Sequence, residues 1–330
     1  MIVIVALLAV AQTFHEHATL KGHTSVVSSV GFSPDSELLV TGSSDGTIKI
    51  WGVADARERS TLRGHQNAIK SAKFSAKGPS LTSMDDRGRM IFWDRIDGIY
   101  KSSKSQDFGF VGDIFDFDKQ ELGRLALVSS TKYNFDAANK INIPYWNLNI
   151  LDVEDPKNVR SIKHGSNITA LAFSPDGSLV SFGDGQGVIR VFSCSDRGDL
   201  VKINSLTCPL DEEGNPEWPS ALAFHPQNKF LAFSYSDTNV KLWRWADDSP
   251  YATLAGPSRL VKRIAISTDG TFAVTTASDM TIEVWSLKTL SVLQTIKNKV
   301  YITCVSISPN NQFISYGDYK GIARIWRVDR

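Results

Sequence analysis

The sequence predicts an all-β fold: a single seven-bladed β-propeller of four-stranded antiparallel blades, with the ring closed by an N-terminal strand that completes the last blade. Three observations predict it. Gly22-His23 is followed 28 residues after the histidine by Trp51, and Gly64-His65 is likewise followed 28 residues on by Trp93. One position of the unit is held by Trp51, Trp93, Trp243, Trp285 and Trp326, by Phe192 in a further copy and by Leu151 in the most degenerate one. The successive spacings of that position are 42, 58, 41, 51, 42 and 41 residues, which makes seven copies, two of them stretched. A period near 40 residues built of short β-rich segments marks a four-stranded blade, a unit that cannot bury both faces without neighbours.

Each copy opens on an apolar strand that ends in a turn. Phe32-Ser33-Pro34-Asp35 returns as Phe173-Ser174-Pro175-Asp176, Phe224-His225-Pro226, Ile266-Ser267-Thr268-Asp269 and Ile307-Ser308-Pro309. Proline fixes φ, and Asp or Asn with Gly supplies the turn. The next strands are short and rich in β-branched residues, as in 38–41 and 47–51.

These residues resemble the WD-repeat β-propeller family over roughly residues 14–330. The first copy is the fullest match: Gly22-His23, then Ser43-Ser44-Asp45-Gly46, then Ile48-Lys49-Ile50-Trp51. The resemblance implies a hydrogen-bonded set inside a blade, made of His23, Thr41 (or Ser43), Asp45 and Trp51. Its physical sense is that buried Trp and His N–H groups need partners. His65 and Trp93 carry the same positions in the second copy, where Arg87 replaces the aspartate and Asp85 and Asp86 are displaced. Asp237 with Trp243, and Asp279 with Trp285, keep the six-residue spacing but lack the Gly-His. The fourth copy reverses the pair to His164-Gly165, and the seventh has Lys320 at the aspartate position, with Asp318 displaced. The expectation is that only blade 1 holds a complete set. In this family the repeat is offset from the blade, so residues 15–21 are expected as the outer strand of the last blade. Closure removes an exposed sheet edge.

Composition adds limits. Seven units of ~40–45 residues account for nearly all of the 330 residues, so residues 13–330 form one domain. A net charge of +1, with no run of like charges, argues against a general nucleic-acid binder, and no nucleic-acid partner is expected. Cys194, Cys208 and Cys304 have no metal spacing; Cys194 and Cys208 are expected at opposite ends of one strand, too far apart to bridge. Residues 1–12 stand apart as an apolar segment, too short to span a bilayer as a helix. They resemble a secretory signal core with Ala9-Val10-Ala11 as a small-x-small cleavage site, but the usual basic start is missing, and a stray N-terminal strand is the other reading. Cytoplasmic and exported locations therefore both stay open.

No catalytic set can be assembled from the order of residues, and no cofactor or metal is expected. His15-x-His17 has no third ligand nearby and reads as outer-strand surface. Gly183-Asp184-Gly185-Gln186-Gly187 lies in a strand-to-strand turn with no helix after it, so turn chemistry accounts for it better than phosphate binding. The insertions carry more. An enlarged loop over residues 130–147 includes Tyr133, Phe135, Tyr145 and Trp146, and a second over 209–220 carries Trp218. Loops between second and third strands, and loops leading into a first strand, open on the same rim of a propeller, and Tyr235 and Tyr319 would extend that surface. Aromatics on long surface loops suit binding; the loop in blade 3 could equally fold back over a degenerate blade. The sequence thus points to a non-catalytic, monomeric interaction scaffold that binds a protein or peptide partner on this rim. An enzyme or small-ligand sensor using the central channel is the alternative, disfavoured because the first strands read mostly Val, Ile, Ala, Leu and Phe.

Overall fold

Why the chain forms blades is visible in one register position. In every sheet the residue that the sequence aligned with Trp51 pairs with an apolar residue of the second strand: Leu39↔Trp51, Leu81↔Trp93, Leu125↔Leu151, Val180↔Phe192, Leu231↔Trp243, Ala273↔Trp285 and Ile314↔Trp326. Leu151 and Phe192 therefore hold the tryptophan position in their copies. The computed structural model describes residues 12–75, 78, 80–107, 112–117, 124–136, 141–152, 159–195, 199–235, 239–256 and 259–329; within 112–145 and at 151, 152 and 159 it describes the backbone. Residues 1–11, and with them the proposed leader, lie outside the described residues.

Among those residues all regular structure is strand. After β1 (Thr13–Lys21), blade 1 holds β2 (Val27–Phe32), β3 (Leu38–Ser43), β4 (Ile48–Gly52) and β5 (Glu58–Leu62). Blade 2 holds β6 (Ile69–Phe74), β7 (Leu81–Asp85), β8 (Arg89–Ile96) and β9 (Ile99–Asp107). Blade 3 holds β10 (Gly112–Phe117), β11 (Arg124–Asp136), β12 (Ile141–Asp152) and β13 (Val159–His164). Blade 4 holds β14 (Ile168–Phe173), β15 (Leu179–Asp184), β16 (Val188–Cys194) and β17 (Leu200–Thr207). Blade 5 holds β18 (Ala221–Phe224), β19 (Leu231–Ser234), β20 (Val240–Arg244) and β21 (Ser249–Leu254). Blade 6 holds β22 (Val261–Ile266), β23 (Phe272–Ala277), β24 (Thr281–Ser286) and β25 (Ser291–Lys297). Blade 7 holds β26 (Ile302–Ile307), β27 (Phe313–Asp318) and β28 (Ile322–Asp329), and its outer strand is β1, in the order β1-β28-β27-β26. The pairing runs antiparallel from Thr13↔Asp329 to Lys21↔Ile322. Phe14 and Leu20 on β1 are buried, Phe14 edge-on to Phe272 of blade 6.

The core lies between blades rather than within them. One cluster joins Leu39 and Trp51 to Cys304 and Ile325 of blade 7; another joins Val40 and Ile50 to Leu81 and Trp93 of blade 2. Close approach is made possible by missing side chains. A Cβ on Gly42 would stand 2.6 Å from Ile69 of the next blade, and one on Gly317 2.5 Å from Val27. Each blade thus lends its neighbour the second face that it cannot cover alone.

One sequence expectation is corrected by this architecture. Residues 130–147 do not form an enlarged loop: β11 and β12 continue as a long hairpin, with Lys132↔Tyr145 and Asp136↔Ile141 still in register after a shift between Ser129 and Lys132. Thr131, Tyr133 and Phe135 alternate with Lys132 and Asn134, which is a two-residue strand period rather than loop chemistry.

Candidate interaction face

The hydrogen-bonded set of blade 1 is laid out as a relay. Trp51 Nε1–H donates to Thr41 Oγ1 (2.9 Å), Thr41 lies 2.7 Å from His23 Nε2, and His23 Nδ1 lies 3.0 Å from Asp45 Oδ2. A neutral imidazole with its proton on Nδ1 satisfies every contact, because Thr41 then accepts from the indole and donates to Nε2. Burial lowers the His23 pKa against the pull of Asp45. Asp45 itself is held down to about 2; burial opposes this, but bonds from Thr47 and from the Thr24 and Thr47 amides outweigh it.

Blade 2 builds the same relay, correcting the expectation that only blade 1 could. Trp93 Nε1–H donates to Ser83 (2.8 Å), Ser83 lies 2.7 Å from His65 Nε2, and His65 Nδ1 lies 3.0 Å from Asp85 Oδ2. Asp85 stands eight residues before its tryptophan, whereas Asp45 stands six before Trp51. Both positions belong to the same tight turn, so either can aim a carboxylate at the histidine. Asp184 and Asp318 take the eight-residue position in blades 4 and 7 and are completely buried, so Asp318 is not displaced as the sequence spacing suggested.

In blades 4 and 7 an arginine supplements or replaces the relay. Asp184 accepts from the Gln186 and Val188 amides, from His164 Nε2 (2.8 Å) and from Arg190, whose guanidinium stacks over Phe182. Asp318 accepts from the Lys320 and Ile322 amides and from Arg324 (2.9 Å), which stacks over Tyr316. Phe182 and Tyr316 sit where Thr41 sits in blade 1. An aromatic there cannot serve a histidine, but it offers a face to a cation. In blade 6 Trp285 donates to Thr275 (3.0 Å) while Asp279 turns to its own Thr281. In blade 5 Trp243 donates to Asp248 (3.1 Å); Asp237 lies outside the described residues.

The relays give a pH prediction. His23 and His65 are pushed down by burial, as is His225, so the unfolded chain binds more protons than the folded one below pH ~6.5. Stability is therefore expected to fall as pH drops through that range, and again between pH ~4 and 2 as Asp45 and Asp184 are forced to protonate. Urea melts of the wild type and of His23→Gln/His65→Gln between pH 8 and 5 test the first step. The variant should be less stable but flatter with pH; an unchanged slope would show that these imidazoles do not titrate on unfolding.

These turns and the loops entering each first strand share one face. Amides of the second turns donate to the entry loops around the ring: Ser44 to Val26, Asp86 to Ala68, Gly185 to Asn167, Ser278 to Leu260 and Tyr319 to Tyr301. The 208–220 insertion lies on this face over the blade 4 turn. Cys208 N–H donates to Gly187 O, and a Cβ on Gly187 would meet Glu217 O at 2.9 Å. Asp211 stiffens the insertion by accepting from the Glu213 and Asn215 amides. Trp218 is 48% exposed, Leu210 62%, Tyr301 56% and Tyr319 63%. Leu210 and Tyr301 were missed in the sequence; only their place in entry loops marks them. Tyr235 is not part of this surface. It is 8% exposed, packed with Phe233, with the Lys241 ammonium over its ring. Trp146 is half-buried on β12, paired with His164, and the side chains of Tyr133, Phe135 and Tyr145 lie outside the described residues. A cavity of about 230 Å³ between blades 4 and 5, lined by Leu206, Cys208, Tyr235 and Trp243, is smaller than most small-molecule sites.

The central channel is lined by the first strands. Each has a bulge near its start in blades 1–4, 6 and 7. Ser28 and Thr303 sit at bulges and share one hydroxyl proton between a carbonyl of their own blade and one of the next, Ile69 O and Val27 O respectively; Ser220 does the same with Val261 O. These hydroxyls stitch blades together and are committed to backbone carbonyls. No group of three His, Cys, Asp or Glu able to hold a metal occurs among the described residues. All three cysteines are buried and none forms a disulfide, and no helix among the described residues is long and apolar enough to cross a membrane.

The architecture defines a β-propeller of the repeat-scaffold class. The model of the family "WD domain, G-beta repeat" matches residues 14–52, 156–197, 207–244, 248–286 and 290–327, more than half of the chain, and the protein belongs to that family. The family is generally one of non-catalytic scaffolds that bind protein partners. Among curated proteins the chain is 28% identical over 180 residues to Telomerase Cajal body protein 1 of Rattus norvegicus, covering 51% of this chain and 33% of that protein. It is 26% identical over 158 residues to Angio-associated migratory cell protein of Homo sapiens, covering 47% of this chain and 34% of the relative. The match therefore spans about a third of the length of these relatives.

Proposed function

We propose that this protein is a monomeric, non-catalytic docking module that holds a protein or peptide partner on the face carrying the 208–220 insertion. The observation that carries the reading is the exposure of Leu210, Trp218, Tyr301 and Tyr319 on the one face where turns and entry loops meet. Exposed aromatics held on rigid turns are the side-chain type in which interface energy concentrates, and each can contribute ~2 kcal/mol or more. The long hairpin with Tyr133, Phe135, Tyr145 and Trp146 contributes to the same docking function. The committed channel hydroxyls speak against an enzyme. Trp218→Ala is expected to leave the melting temperature unchanged and to weaken capture of a partner from native lysate at least tenfold. A collapsed fold, or undiminished capture by a chain lacking both Trp218 and Tyr319 side chains, would remove the reading.

A further inference from the structure

We infer that the cavity between blades 4 and 5 is a binding pocket for one aromatic side chain of a partner peptide, a tyrosine or tryptophan whose O–H or N–H is accepted by Asp248. The pocket lies at the root of the 208–220 insertion. The inference rests on the docking function proposed above in one respect, that the ring arrives on a peptide.

The cavity exists because blade 5 lacks the Gly-His pair. β17 ends at Thr207, which pairs with Val188, just as β1 ends at Lys21, which pairs with Ile322. Cys208 and Pro209 therefore hold the positions of Gly22 and His23. Glycine at this point lets the chain settle on the tryptophan of the blade. A Cβ would stand 3.3 Å from the Trp51 ring on Gly22, 3.1 Å from Trp93 on Gly64 and 2.6 Å from Trp285 on Gly256. Cys208 carries a side chain, its N–H is tied to Gly187 O in the blade 4 turn, and the space left over Trp243 is the cavity. Two further exchanges shape it. Phe233 stands where Thr41 accepts from Trp51, so Trp243 donates to Asp248 instead (3.1 Å). Pro250 stands where Glu58 reaches across to Lys49.

Size and chemistry select the occupant. The cavity measures about 230 Å³. An apolar cavity of about 150 Å³ already admits a benzene ring, and pockets for drug-sized molecules start at ~300 Å³, so one ring system with its first methylene fits. Phe233, Leu242 and Trp243 are buried and form the floor, while exposed Thr207, Asp248 and Pro250 stand at the mouth. Tyr235 and Trp243 give the walls the aromatic faces and edges against which another ring packs. Asp248 accepts from Trp243 on Oδ1, and its Oδ2 has no partner among the described residues. A ring that carries a donor, phenol or indole, meets that oxygen; a phenyl or aliphatic side chain does not. Tyrosine and tryptophan are also the types in which interface energy concentrates.

Ligand-observed NMR titration of the full chain with p-cresol, 3-methylindole and toluene, the side chains of tyrosine, tryptophan and phenylalanine, tests the pocket. Each should bind one site saturably, the first two about fivefold more tightly than toluene, the margin of one hydrogen bond. Asp248→Asn keeps an oxygen for Trp243 and suits the left-handed backbone there (φ 53°). It turns an amide NH2 to the ligand, so 3-methylindole should lose its margin over toluene. Thr253→Phe places a ring in the cavity from an exposed position of β21 and should abolish binding of all three while melting no lower than wild type. Trp218→Ala, outside the cavity, should bind the rings as wild type. Acetyl-Gly-Tyr-Gly-amide and acetyl-Gly-Trp-Gly-amide should bind at least as tightly as the free rings. The inference is overturned by absent saturation, by equal affinity for toluene, by an unchanged 3-methylindole margin in Asp248→Asn, or by binding that survives in a folded Thr253→Phe. Free rings that bind tenfold more tightly than the peptides would make this a small-molecule site and overturn it too. If rings and peptides bind as expected but partner capture survives loss of the Trp218 and Tyr319 side chains, the docking face fails and the pocket stands.

Discussion

A chain lacking residues 13–21 is expected to lose most of its stability and to self-associate. β1 pairs with β28 from Thr13 to Lys21 and forms the outer strand of blade 7. Its removal uncovers β28, whose Ala323, Ile325 and Val328 are buried, and leaves the backbone groups of that strand without partners. It also removes Phe14 and Leu20 from clusters that bind blade 7 to blades 6 and 1. Burial of two such side chains contributes ~1.5–3 kcal/mol each, against a total stability of about 5–15 kcal/mol for a folded domain. An open apolar edge is also a template for pairing with another molecule. Size-exclusion chromatography and urea melts of the chains lacking 1–11 and 1–21 decide the matter. The first should match the full chain in melting and elution. If the second is also monomeric and equally stable, β1 is an accessory strand and the ring does not depend on it.

How much was legible in advance follows from which interactions are local. The tryptophan positions and the Ser-Pro turns are set by neighbours in sequence, so the register of all seven blades could be read, including Leu151 and Phe192 where the signature residue is missing. The aspartates were misjudged because a turn was treated as a single position. A tight turn presents two residues to the same histidine, and spacing alone does not distinguish them. Tyr235 was misplaced for a related reason: it directly follows β19, but its ring turns inward beneath Lys241. The length of residues 130–147 suggests a loop, whereas the alternation within 131–135 is that of the paired strands β11 and β12. Exposure of Leu210 and Tyr301 depends on how entry loops cross neighbouring turns, which no local pattern encodes.

Asp184→Ala is expected to be the most damaging single substitution among the turn aspartates. The carboxylate is completely buried, and its loss orphans the Gln186 and Val188 amides, His164 Nε2 and the Arg190 guanidinium together. Removing one partner of a buried charge pair costs about 3–5 kcal/mol, and partial exposure of Arg190 reduces this to ~2–4 kcal/mol. Asp45→Ala should cost less, about 1–3 kcal/mol, because this carboxylate is itself about 10% exposed whereas that of Asp184 is fully buried, so water reaches the place it leaves. Asp184→Asn keeps an oxygen for the two amides but loses the charge facing Arg190, so it should fall between wild type and alanine. It should also remove the part of acid sensitivity below pH ~4 that comes from this carboxylate, whose pKa is held at about 2. Adding Arg190→Leu to Asp184→Ala should recover part of the loss, since an apolar side chain over Phe182 leaves no uncompensated charge. Urea melts of the four variants at pH 7 and pH 3 provide the test. If Asp184→Ala is no worse than Asp45→Ala, or if Arg190→Leu makes it worse still, the eight-residue aspartates are surface ornaments of the turn and not the locks that replace the histidine relay.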